Sequence, residues 1–144
     1  MRLRPRRVRC EGCSATHVLL PEMVLPRRAD ASRVVGAGLE TAARGLGHRR
    51  VAVVLGLPAD TVRSWIRRFR RCAERVRSLF MTVLVAAAWD PVIPGPGGSP
   101  LAGAAAVIAA AAEAARQRLG LPRLERCSFA CRASRGRVLA AGGG

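Results

Sequence analysis

The chain contains no lysine and no tyrosine, and among its 144 residues only nine are acidic against 25 basic. The carboxylates Glu11, Glu22, Asp30, Glu40, Asp60, Glu74, Asp90, Glu113 and Glu125 stand singly, with no paired placement for metal or acid–base chemistry. Neither His17 nor His48 has a nucleophile partner in the pattern. The glycines of residues 95–98 sit among prolines and follow no strand, so they do not make a phosphate loop. The expectation is a protein without enzymatic activity and without a small-molecule substrate. Aromatics are only 3% of the chain, which gives no pattern for stacking single-stranded bases. Long apolar runs are also missing: residues 79–89 and 101–112 each fall short of the ~20 residues that cross a bilayer, so no membrane partner is expected. The opening MRLRPRRVR has no apolar signal core, and Cys10, Cys13, Cys72, Cys127 and Cys131 make an odd set. Both point to a cytoplasmic protein with reduced thiols.

What the chain has in excess is arginine, for a net charge of +16. A charge of that sign and size favours a polyanionic partner, because neutralising phosphates releases condensed counterions. Its distribution organises the sequence around residues 47–71, GHRRVAVVLGLPADTVRSWIRRFRR. Val51, Val54 and Leu55 repeat at helical spacing, Gly56-Leu57-Pro58 breaks the pattern, and Val62, Trp65, Ile66 and Phe69 resume it at i, i+3, i+4 and i+7. Two helices with apolar backs and a tight turn between them form a helix-turn-helix unit, with the second helix in the major groove of double-stranded DNA. Its outward residues suit base edges and phosphates. Thr61, Arg63, Ser64 and Arg67 are the candidates for base edges, and Arg49, Arg50, Arg68, Arg70 and Arg71 for phosphates.

Around this unit the chain divides by composition. Residues 1–26 read as a partial zinc-ribbon-like hairpin: β-prone segments flank the turn CEGC, where Gly12 allows the bend. Cys10 and Cys13 are half of a tetrahedral zinc set, and His17 is the candidate third ligand. The abrupt start reads as the loss of an upstream C-x-x-C or a misassigned start codon. Zinc is therefore expected only if the ribbon is completed.

Residues 27–90 read as the helix-turn-helix domain. A proline-bounded connector, residues 21–28, leads to Asp30 or Ser32 as the cap of a supporting helix with Val34, Val35, Leu39, Ala42, Ala43 and Leu46 on one side. The last helix of the unit does not stop at Arg71, since neither Gly nor Pro intervenes before Pro91. Along it Val62, Trp65, Phe69, Cys72, Val76, Leu79 and Val83 keep a 3-4 spacing, with Ile66, Ala73 and Phe80 widening the stripe. Such a seam serves either an intramolecular bundle or a homodimer through residues 62–87, the latter being the protein-interaction alternative to DNA binding. Cys72 on this stripe reads as a small core residue. Residues 91–100, PVIPGPGGSP, form a linker. Ser99 then caps, and Pro100 opens, an alanine-rich helix over 101–120 that Gly120 ends. Residues 121–144 read as a basic, poorly ordered tail carrying Cys127 and Cys131 as unpaired thiols.

CEGCSATHVLLP followed by GHRRVAVVLGLPADTVRSWIRRF makes residues 10–90 resemble the amino-terminal part of bacterial transposase-like proteins, including an uncharacterised family with this pattern. There a zinc-ribbon segment precedes a helix-turn-helix. The resemblance implies a module that recognises the ends of a mobile element, the cutting being done by a separate acidic domain that this acid-poor chain has no room for. The chain departs from the pattern at Pro58, where such turns place a Ser or Thr cap, and at Asp60, which would have to serve the helix end electrostatically or accept from a cytosine amino group. The fold expected is mainly α, a trihelical helix-turn-helix core with a long helical extension and an N-terminal hairpin with a cysteine knuckle. The function expected is non-catalytic DNA binding by a transposase-derived protein or transcriptional regulator, the broader alternative being a general nucleic-acid binder.

Overall fold

The computed structural model describes residues 6–19, 32–122 and 124–135. The connector of residues 21–28, the candidate cap Asp30 and the last nine positions lie outside the described residues. Strands β1 (Arg6–Arg9) and β2 (Thr16–Leu19) pair antiparallel, with Val8 opposite His17 and Arg9 opposite Thr16. Between them the CEGC turn closes on itself. The Ser14 amide donates to the Cys10 carbonyl at 2.9 Å and the Cys10 amide to the Ala15 carbonyl at 2.8 Å. The hairpin around a cysteine turn is thus present.

Five helices follow: α1 (Ser32–Ala43), α2 (His48–Leu55), α3 (Ala59–Ala87), α4 (Pro100–Leu119) and α5 (Arg126–Ala133). The mainly helical class and the long third helix agree with the sequence reading. Among the described residues, no helix is long and apolar enough to cross a membrane.

The α2–α3 turn depends on Gly56, whose φ of +64° is the left-handed conformation that a Cβ disfavours. From there the Gly56 amide donates to Val53 and the Leu57 amide to Ala52, at 3.3 and 3.0 Å, satisfying two carbonyls of the last turn of α2. Pro58 then opens α3, its carbonyl accepting from the amides of Thr61 and Val62. The three-helix core is built from Val35 and Leu39 of α1, Val51 and Ala52 of α2, and Val62, Trp65, Ile66 and Phe69 of α3, all buried.

Three details of the apolar pattern differ from the reading. Leu46 follows the end of α1 at Ala43 and is exposed, because Gly45 turns the chain away from the helix first. Val54 is 67% exposed, and its place inside is taken by Ala52. At ~100° per residue, Val51, Ala52 and Leu55 centre the inward face and Val54 lies roughly 110° from its middle. On α3 the buried line runs Phe69, Ala73, Val76, Phe80, Leu84, whereas Leu79 is 40% exposed and Val83 half-buried. A straight helix of 3.6 residues per turn drifts about 20° per heptad against a 3.5 repeat, so the contact line moves off the heptad positions. The seam is occupied within the chain, by α1, α2 and α4. Cys72 lies in it as expected, its thiol donating to the carbonyls of Arg68 and Phe69, and burial pushes that thiol's pKa up.

At the start of α4 the Ser99 hydroxyl accepts from the Ala102 amide at 3.1 Å, with Pro100 in the first turn and Gly120 closing the end at φ +61°. Leu101, Ala104, Val107, Ala111 and Ala115 pack inward. The small side chains let α4 lie close against α3. The first turns of α4 lie beside Glu40, Ala43 and Phe69, while Arg118 near its end donates to the carbonyl of Ala86. α3 and α4 therefore run in the same direction. The linker of residues 88–99 is a return path along the bundle, and it brings the Pro96 carbonyl against Gly103.

The tail reading is corrected over Arg126–Ala133, which form α5, packed on α1 and α4. Ala130 is buried, the Ser134 hydroxyl donates to the Ala130 carbonyl at 2.6 Å, and the Phe129 ring meets Phe80 of α3. Cys127 and Cys131 are helical residues one turn apart against the core; burial raises the Cys127 thiol to about 11, and nearby carboxylates add to this. No disulfide joins the five cysteines.

Candidate nucleic-acid interface

Where the α1–α2 turn meets the flank of α3, a groove of about 460 Å³ opens, lined by Leu46, Gly47, His48, Arg63, Ile66, Arg67, Arg70 and Arg71. The helix repeat explains the convergence. Arg63, Arg67, Arg70 and Arg71 fall at i, i+4, i+7 and i+8, which is one side of a 3.6-residue spiral. Ile66, buried beneath them, ties that side to the core. All four arginines are exposed.

The opposite wall is the amino terminus of α2. Gly47 caps it in an extended conformation (φ −67°, ψ 152°) and offers no side chain to the free amides of the first turn. The partial positive charge of that helix end therefore faces the same groove as the arginines. His48, the first residue of α2, was not a sequence candidate. The signal that points to it is its place directly after the Gly45–Gly47 break, where a helix start is exposed.

Of the other expected contact residues, Arg49 and Arg50 are exposed on α2, and Thr61 and Ser64 are half-buried. Arg68 is exposed but sits about 100° around α3 from Arg67, outside the groove lining. The structure therefore brings together Arg63, Arg67, Arg70 and Arg71, and leaves Thr61, Ser64 and Arg68 on the adjoining flank of the same helix. Pro58 provides no side-chain cap for α3, and Asp60 stands exposed in its first turn.

Charge is segregated across the molecule. The salt bridges of the described residues are Arg33–Glu125 at 3.5 Å, Arg126–Glu40 at 3.8 Å, and Arg116–Glu113, in which the Arg116 Nε lies 2.9 Å from Oε2. Each is solvent-exposed and so contributes little to stability. All three involve α1, α4, α5 or the turn before α5. None engages Arg49, Arg50, Arg63, Arg67, Arg68, Arg70 or Arg71, so the α2–α3 surface keeps its positive charge uncompensated.

At the hairpin, the Cys10 thiol is held below its ordinary pKa by the Cys13 amide, then by the Cys13 thiol and the Gly12 amide. That favours a thiolate, the form that binds metal. Among the described residues, however, no three or more of His, Cys, Asp and Glu gather into a metal-sized group. The side chain of His17 lies outside what is described. Cys10 and Cys13 supply two of the four ligands that a structural zinc requires.

Comparison of the chain with protein-family models, with curated proteins and with solved structures finds no match.

Proposed function

We propose that the protein binds duplex DNA without catalysis, as a helix-turn-helix protein of transposase-derived or regulatory type, with the first half of α3 in the major groove. The observation that carries this reading is the groove in which Arg63, Arg67, Arg70 and Arg71 meet the uncapped start of α2, none of them engaged by the salt bridges of the described residues. Exposed cations beside a helix amino terminus match the phosphates that border a groove. The forked guanidinium matches the O6 and N7 acceptors of guanine. Arg63 and Arg67, with Thr61 and Ser64, lie within the first two and a half turns of α3, the part of a recognition helix that enters the groove. Arg49, Arg50, Arg68, Arg70 and Arg71 then take the flanking phosphates.

Fluorescence anisotropy with mixed-sequence duplexes tests the class. Five phosphate contacts give a slope of log K against log salt of about −4.5. Failure to bind any duplex at low ionic strength ends the DNA reading. Equal affinity for duplex DNA and single-stranded RNA of the same length favours the general nucleic-acid binder instead.

A further inference from the structure

Between Arg77 and Arg116 the chain carries no basic residue, and Asp90 and Glu113 are its only charges there. Glu113 is matched by Arg116, so this stretch is nearly neutral in a chain of net charge +16. It includes the far end of α3, the start of the return linker and most of α4. At that end lie Val85, Trp89, Leu119 and Leu121, with Val92 and Ile93 following in the return linker, all of them exposed large apolar residues. Trp89 has the full exposure of a free side chain, and Val92 is 83% exposed. The Arg118–Ala86 hydrogen bond brings the end of α4, with Leu119 and Leu121, to the same place as the end of α3.

We infer that this nearly neutral end, where Asp90 and Glu113 balance Arg116 and Arg118, is the surface through which two copies of the chain associate. Electrostatics selects the occupant. Two chains of charge +16 repel wherever arginines face, and this end is where that repulsion is least. A two-fold interface must be self-complementary, each residue meeting its counterpart's partner. The end meets that condition: Asp90 is exposed and is engaged by none of the salt bridges of the described residues, and the exposed Arg118 stands beside Ala86 to receive it from the other copy. The apolar residues supply the contact area, an indole alone covering about 150–250 Å². The surface is distinct from the α3 seam, which is filled within the chain. The inference does not depend on DNA binding.

Sedimentation of the full chain without nucleic acid, from about 1 to 100 μM, tests it. The chain should pass from monomer to dimer over this range. Association should strengthen at 0.5 M salt, where repulsion is screened, opposite to the trend expected of DNA binding. The emission of Trp89 should move to shorter wavelength with concentration, while that of the buried Trp65 stays fixed. Trp89→Asp should lose the dimer with unchanged helical circular dichroism, since an exposed loop residue supports no core. Asp90→Arg should weaken association at least tenfold, and adding Arg118→Asp should recover most of it. A chain that stays monomeric at the highest concentration and salt overturns the inference, as does a dimer indifferent to Trp89→Asp.

Discussion

Phe80 on α3 and Phe129 on α5 meet with ring centroids 5.8 Å apart and planes inclined at 58°. This tilted contact is what fastens the short last helix to the long one, because α5 otherwise offers only Ala130 as a fully buried apolar residue. Truncation of Phe129, which is half-buried, should cost roughly 1–3 kcal/mol, below the range for a fully buried ring. Urea denaturation measures it. An unchanged midpoint shows that α5 is not held through this pair.

Gly36 of α1 makes room for α5 in a second way. A Cβ at that position would stand 1.9 Å from the Cys127 sulfur and 3.1 Å from its Cβ. Gly36→Ala should destabilise the protein by about 1–3 kcal/mol through overpacking. Combining it with Cys127→Ala should remove most of that cost, the two changes coupling because they share one contact. Additive losses in the double variant contradict the account.

At the arginine groove, Arg67→Ala should weaken binding to a preferred duplex by roughly 1–3 kcal/mol and flatten the preference among sequences. Arg71→Ala should weaken all duplexes alike and reduce the salt slope by about one. Competition titrations separate the two patterns. Uniform loss from Arg67→Ala moves that side chain from base reading to phosphate contact.

The thiols should titrate in a fixed order. Cys10 is lowered by the amide and thiol of Cys13 and the amide of Gly12, while burial raises Cys72 and raises Cys127 to about 11. Alkylation of the native chain near neutral pH should reach Cys10 well before Cys72 and Cys127. A raised folded pKa also means that the Cys127 thiol supports folding at pH values below its unfolded pKa of about 9, and that this support is lost as pH rises toward 11. Cys127→Ala should therefore be less sensitive than the parent to alkali over that interval. Identical alkaline transitions count against the assignment.

Much of the framework was legible because its signals are local. The run without Gly or Pro before Pro91 carries α3 as one helix past Arg71 to its end at Ala87, and Ser99, Pro100 and Gly120 mark both ends of α4. The arginine positions of α3 were legible from the same 3.6-residue repeat. What escaped depends on distant partners. Residues 126–133 are only weakly amphipathic, and they become a helix because Gly36 and Phe80, far away in sequence, receive Cys127 and Phe129. The heptad extrapolation selected Leu79 and Val83 over Leu84 because the direction in which α4 crosses α3 is not encoded within α3 itself. His48 was missed because a helix terminus becomes part of a site only when a second helix lies across it.

The 29 unbroken residues of α3 also make it a lever. At 1.5 Å per residue it is about 43 Å long, with the proposed recognition segment toward one end and the nearly neutral surface at the other. A tilt of about 7° about the far end swings Arg67, about 30 Å away, by about 3.7 Å, close to the 3.4 Å rise of one base pair. If α3 reads a duplex as proposed, whatever seats its distal end sets the register of the near end, and a substitution about 30 Å from the nearest base changes which sequence is preferred without itself touching DNA.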